Sequence, residues 1–258
     1  MQKKNLTAAL AAIACLASIF LAARPARAQE PVQFKAADGV TIYATYYPAK
    51  ESSRPMILLF HQASSNRYEY AAIAPKLAAA GFSCLATDQR WGGRMWGQTN
   101  QTVHKLGHAE TAANNVKDLE ADLDAAVAWA REKYPRRKMI LWGSSYSASL
   151  VFVVAARHPN DVVGVLAFSP GEYFQDEPTL IEDAAKKVRV PVFITSENEA
   201  DSVANATKIF EAVESREKIH YKAQFAVHGS STLRTDRNPK GAAANWQAVT
   251  KFLKQFEK

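Results

Sequence analysis

Met139-Ile140-Leu141-Trp142-Gly143-Ser144-Ser145-Tyr146-Ser147 is followed at once by Ala148-Ser149-Leu150-Val151-Phe152-Val153-Val154-Ala155-Ala156-Arg157-His158-Pro159. An apolar run breaks at Gly143, and a helix-length apolar segment begins almost without interruption. This is the pattern of a buried strand, a tight turn and a helix. A turn this short packs strand against helix so closely that the positions two before and two after its central residue must be small. Gly143 and Ser147 are small around Ser145, whereas centring the turn on Ser144 would put Trp142 in a small position.

Outward from this stretch, strands and helices alternate. Val32 to Phe34 and Val40 to Tyr47, separated by Ala37-Asp38-Gly39, read as a hairpin. Pro55 to Phe60 is a continuous apolar run, as expected of a strand covered on both faces. Tyr70 to Ala80 reads as a helix ended by Gly81, and Cys84 to Ala86 as the next strand. From Trp91 to about Thr111 the chain is polar and without a clear period, and so long an irregular connection in a compact domain is usually functional or disordered. Asn115 to Lys133 has helical spacing, with Leu119, Leu123, Ala126 and Val127 on one apolar face. Val162 to Phe168, Val188 to Thr195 and Lys222 to Val227 read as further strands, and Ala242 to Phe256 as a closing helix. Such alternation predicts an α/β protein with a mostly parallel sheet and helices on both faces. In such sheets ligands gather at the carboxyl ends of the strands.

Those ends carry the chemistry. A serine hydroxyl becomes a nucleophile when an imidazole takes its proton, and the imidazole needs a carboxylate to fix its tautomer. Ser145 follows one strand, Ser196-Glu197-Asn198-Glu199-Ala200-Asp201 follows another, and His228 follows the last. With these residues and their order, the chain resembles the α/β-hydrolase superfamily over nearly its whole length, closest to the dienelactone-hydrolase-like branch. It departs from dienelactone hydrolase proper in carrying Ser145 where that enzyme has cysteine.

The resemblance implies the α/β-hydrolase fold with a minimal lid, since only Ser169 to Lys187 separates two strands where relatives insert one. It implies hydrolysis of a carboxylic ester or similar small acyl compound through an acyl-enzyme, with no metal or cofactor. Ser145 is then the nucleophile at the nucleophile elbow, and His228 the base. Glu199 is the expected acid, three positions after Ser196, with Asp201 as the alternative if the turn is longer, while Glu197 lies close to the strand end. The oxyanion hole is expected from the backbone N–H groups of Gln62 and Tyr146. His61, next to Gln62, reads as a buried structural histidine. A serine peptidase of the same fold and a non-catalytic binding protein are the competing functions.

Composition bounds the rest. Residues 1–28 open with Lys3 and Lys4, continue through an apolar stretch from Leu6 to Ala23 and end on Ala26-Arg27-Ala28, the pattern of a signal peptide. The expectation is an exported protein, periplasmic or secreted, with residues 29–258 forming one hydrolase domain and no stable membrane anchor after cleavage. Loss of Lys3, Lys4, Arg24 and Arg27 lowers the formal charge from +7 to +3. No basic tract remains, which argues against nucleic acid as a partner. Cys84 is the one cysteine left after cleavage, in a segment that reads as buried strand. His104, His108 and Glu110 have a metal-like spacing only if helical, and their segment reads as irregular.

Overall fold

The computed structural model describes residues 29–50, 53–108 and 115–257. The signal-peptide reading of residues 1–28 and the residue Glu110 lie outside the described residues.

In chain order the strands are β1 (Glu30–Lys35), β2 (Thr41–Tyr47), β3 (Met56–Phe60), β4 (Cys84–Asp88), β5 (Arg94–Met95), β6 (Gln98–Thr99), β7 (Met139–Ser144), β8 (Val162–Phe168), β9 (Val192–Thr195) and β10 (Lys218–His220). The α-helices are α1 (Ala74–Ala79), α2 (Gln101–Lys105), α3 (Val116–Lys133), α4 (Tyr146–Arg157), α5 (Leu180–Ala185), α6 (Ala200–Ala212) and α7 (Ala242–Leu253). Eight strands form one sheet in the order β1-β2-β4-β3-β7-β8-β9-β10, and β5 pairs only with β6. The hairpin β1-β2 joins antiparallel at the edge, and within the eight-stranded sheet every pairing from β4 across to β10 is parallel.

Side chains on a strand alternate between faces, and the central strands use both. On β3 and β7, Met56, Leu58, Phe60, Met139 and Leu141 pack with α3, α4, α5 and α6. Ile57, Leu59, Ile140 and Trp142 point the other way and pack with α1 and α7. The unbroken apolar runs in the sequence follow from this two-sided burial.

Three expectations need correction. The last strand is β10, not 222–227. Its Lys218–His220 segment pairs with Val192–Ile194, and the chain then leaves the sheet. Side-chain amides replace the ladder there: Asn198 donates to Ala223 O and accepts from Ala226 N, and Asn238 and Asn245 donate to Phe225 O. The expected helix from Tyr70 to Ala80 divides into a short 3-10 turn, Arg67–Tyr70, and α1. The segment from Trp91 onward is not structureless, since it holds the β5-β6 hairpin and α2. It is held by Asp88, which accepts from Gln101 N at 2.7 Å, and by Asn100, which caps α2 at Val103 N. Asp88 also pairs with Arg67, while Arg90 binds Asp122 and Asp38.

Candidate active site

Ser145 stands between β7 and α4 with φ 59° and ψ −124°. Left-handed φ is costly for a residue with a Cβ, and such strain persists only where its surroundings hold it. Here they do. A Cβ at Gly143 would sit inside the backbone of Ser147, so strand and helix can approach only with glycine there. Ser147 does more than stay small, because its Oγ donates to His61 O at 2.7 Å and accepts from Gln89 Nε2 at 2.9 Å. The helix start is thereby fastened to the ends of β3 and β4.

His228 arrives on the loop that leaves the sheet after β10, and that loop folds back onto the turn carrying Ser145. Ser230 N donates to Ser144 Oγ at 2.8 Å, and Gly229 N donates to Ser169 Oγ at 3.0 Å. Gly229 has φ 65°, and a Cβ on it would collide with Ser144 Oγ, so a side chain there would push the loop away. His228 Nδ1 lies 2.7 Å from Glu197 Oε1.

Glu197, not Glu199, is therefore the carboxylate on the histidine. Glu199 and Asp201 are exposed, at the N-cap and in the first turn of α6, and the Glu199 side chain does not cap that helix. The sequence expectation assumed that the histidine follows a strand end directly and needs an acid with longer reach. Because the histidine loop instead folds inward, the imidazole comes to the first carboxylate after β9. Burial opposes the ionised form of Glu197, but His228, Ser169 and Ser202 outweigh it and hold the carboxyl down at about 2. Ser202 Oγ donates to Oε1 at 2.6 Å, and Ser169 Oγ donates to Oε2.

The hydrogen bond that His228 donates to Glu197 raises the His228 pKa above 6.5, with burial acting in the opposite direction. Only neutral imidazole can take a proton from serine. Any reaction in which this imidazole takes the serine proton should therefore rise in rate with pH along a limb centred above 6.5, and the limb should move downward in Glu197→Gln. A kcat/KM profile measured from pH 5 to 9 checks this; a flat profile would contradict it.

The oxyanion donors differ in part from expectation. Tyr146 N, at the start of α4, makes no hydrogen bond among the described residues, as an N-terminal helical N–H often does not. Gln62 N is already used, since it donates to Glu69 Oε2 at 2.9 Å. The next N–H along, that of Ala63, has no partner among the described residues. It replaces Gln62 as the candidate donor from this loop.

His61 explains how the loop is set. Its Nε2 accepts from Gln89 N at 3.0 Å, which leaves the proton on Nδ1 to donate to Gln62 O at 2.7 Å. Complete burial lowers its pKa to about 4, so the ring is neutral and structural.

Glu69 is fully buried beside these groups, and no sequence reasoning singled it out. Burial pushes its carboxyl up to about 7 against the hydrogen bonds from Ser144 and Gln62. Its placement in Arg67-Tyr68-Glu69-Tyr70 looks like an ordinary helix start. Only the fold brings it under the turn.

A bay of about 590 Å³ is lined by Trp91, Val116, Leu119, Tyr173 and Phe174, with Lys117 and Glu177 among its polar residues. Trp91 packs on Tyr146 at 4.9 Å and faces Phe174 at 6.4 Å between ring centres. Tyr173 Oη donates to Ser169 O at 2.8 Å; burial raises its phenol pKa, and the nearby Ser145 hydroxyl works the other way. Cys84 is buried in β4, and burial raises its thiol pKa well above the ordinary value, which suits a core residue.

Residues 51–244 match the family described as serine aminopeptidase, S33. The chain belongs to that family. This S33-family chain is 29% identical over 142 residues to the quorum-quenching protein AidA of Acinetobacter baumannii, covering 54% of its own length and 43% of that protein's. It is 24% identical over 191 residues to a monoacylglycerol lipase of Mycolicibacterium smegmatis, covering 73% of its own length and 64% of the lipase's. It thus spans less than two thirds of either curated relative.

Among solved structures, it resembles a dienelactone hydrolase of Anabaena variabilis at TM-score 0.68 and 16% identity, with 90% and 99% of the two chains covered. It also resembles an esterase of Pyrococcus furiosus at TM-score 0.67 and 15% identity, with 89% and 93% covered. These likenesses establish the α/β-hydrolase fold.

Proposed function

We propose that this S33-family protein hydrolyses carboxylic esters of small acyl groups through a Ser145–His228–Glu197 triad. The contact between Glu197 and His228, on a loop bonded to the residue before Ser145, carries this reading. Ser145 Oγ attacks the ester carbonyl carbon while its proton passes to His228 Nε2 and the carbonyl electron pair moves onto oxygen. That oxygen accepts from Tyr146 N and Ala63 N. Collapse of the tetrahedral species breaks the bond to the alcohol oxygen, which leaves with the proton from His228. Water activated by the same imidazole then attacks the acyl-enzyme and releases the acid. Among the described residues no hydrogen bond joins Ser145 to His228, and the proton transfer requires the two groups to close to hydrogen-bond distance.

The bay supplies a place for the acyl group. Its aromatic walls suit short or middle-length aliphatic chains, and each buried methylene is worth roughly 0.8 kcal/mol, about fourfold in kcat/KM. The short segment between β8 and α5 does not build a deep tunnel. A series of p-nitrophenyl esters from acetate to palmitate, run beside aminoacyl p-nitroanilides, tests both the substrate class and the peptidase alternative. Ester rates should peak at short to middle lengths and exceed amide rates. Rates climbing steadily to palmitate would contradict the acyl preference, and faster amide cleavage would favour a peptidase.

A further inference from the structure

We propose that Glu69 is a positioning residue for ester hydrolysis, fastening the oxyanion loop, the turn that carries Ser145 and the loop that carries His228 to one buried carboxylate. The inference rests on the function proposed above.

Three chain segments converge on Glu69. Its Oε2 accepts from Gln62 N at 2.9 Å, and its Oε1 accepts from Ser144 Oγ at 2.6 Å. Ser144 Oγ in turn accepts from Ser230 N at 2.8 Å. Residue 62 precedes the candidate oxyanion donor Ala63, residue 144 precedes the nucleophile, and residue 230 lies two positions beyond the histidine. The closeness of this stack is also written into Gly229, where a Cβ would collide with Ser144 Oγ and come within 3.6 Å of Glu69 Oε1.

The effect on the oxyanion loop follows from peptide planarity. Gln62 O is held by His61 Nδ1 at 2.7 Å and by Ser65 N at 3.3 Å, while Gln62 N is held by Glu69. With both polar groups of Gln62 pinned, the peptide that follows cannot rotate, and Ala63 N–H lies opposite the Gln62 carbonyl in a trans peptide. Glu69 therefore helps fix the direction of a transition-state donor without touching substrate.

Among the described residues, no ion pair reaches the Glu69 carboxylate; Arg234 Nη1 bonds to the main-chain oxygens of Tyr68 and Glu69 instead. A buried carboxyl supported by neutral donors is expensive compared with an apolar replacement. A carboxyl placed beneath three active-site segments is what a positioning role requires.

The test compares wild type with Glu69→Gln, Glu69→Ala and Ser144→Ala on p-nitrophenyl butyrate, with rates referred to the folded fraction by circular dichroism. Glutamine keeps the shape and one acceptor, so it should retain the Gln62 bond or the Ser144 bond but not both. The expected order of kcat is wild type, then Glu69→Gln, then Glu69→Ala, with about a 10- to 100-fold fall for alanine, as for a donor displaced by a fraction of an ångström. KM should change little, because Glu69 makes no contact with substrate and acts on a donor used in the transition state. Ser144→Ala cuts both the Glu69 and the Ser230 bonds of that hydroxyl but leaves the Glu69–Gln62 bond holding the oxyanion loop, so it should cause a smaller loss of kcat than Glu69→Ala. Unchanged kcat per folded molecule in both Glu69 variants, with only lower thermal stability, would overturn the proposal. A wild-type protein that hydrolyses no ester would instead remove the functional reading on which it rests.

Discussion

Ser145→Ala is expected to lower ester turnover by about 10⁴-fold or more while leaving the protein folded. The substitution deletes one oxygen from a residue that is 8% exposed and keeps the Cβ that the strained turn already accommodates. The φ of 59° costs alanine no more than serine, so the turn has no new reason to relax. Neighbouring Ser144 cannot take over. Its hydroxyl is fully buried, donates to Glu69 and accepts from Ser230 N, and an attack from it would require dismantling all three segments. Steady-state kinetics with p-nitrophenyl butyrate, beside a circular dichroism spectrum and melting curve, would measure this. A variant with near-normal kcat would move the nucleophile elsewhere.

Glu197→Gln should cost roughly 10³- to 10⁴-fold in kcat, since an amide in place of the carboxylate favours the wrong histidine tautomer and no longer steadies imidazolium. The bond to be lost is short, 2.7 Å from His228 Nδ1, and the carboxylate is held in place by Ser169 and Ser202. Glu199→Gln and Asp201→Asn are the controls. Both side chains are exposed on α6, and Glu199 acts on His228 only through longer-range attraction. Each control should remain within a few-fold of wild type, the usual scale for an exposed charge. Collapse of Glu199→Gln with Glu197→Gln still active would reverse the assignment.

The misassigned acid illustrates where sequence stops being sufficient. The turn around Ser145 was legible because its requirements are local: Gly143 and Ser147 must be small whatever the rest of the chain does. The two-faced strands β3 and β7 were legible because burial on both sides leaves an unbroken apolar run. The choice among Glu197, Glu199 and Asp201 was not local. It depended on the path of the His228 loop, set by Asn198, Asn238 and Asn245, which replace a strand ladder with side-chain bonds. The alternating residues from Lys222 to Val227 look like a strand, yet they carry the histidine inward. Gln62 failed for a related reason: its N–H is taken by Glu69, which joins it only when the 3-10 turn Arg67–Tyr70 folds beneath the loop. Ser147 was legible as a small residue, but its bonds to His61 and Gln89 were not.

The most direct test of the central claim is covalent trapping. Native protein incubated with a fluorophosphonate, digested and sequenced by mass spectrometry should carry one phosphonyl group, on Ser145, and Ser145→Ala should carry none. His228→Ala should label far more slowly than wild type, because the serine loses the base that takes its proton. A folded wild-type protein that never reacts, or an adduct on any residue other than Ser145, would contradict the assignment of Ser145 as nucleophile.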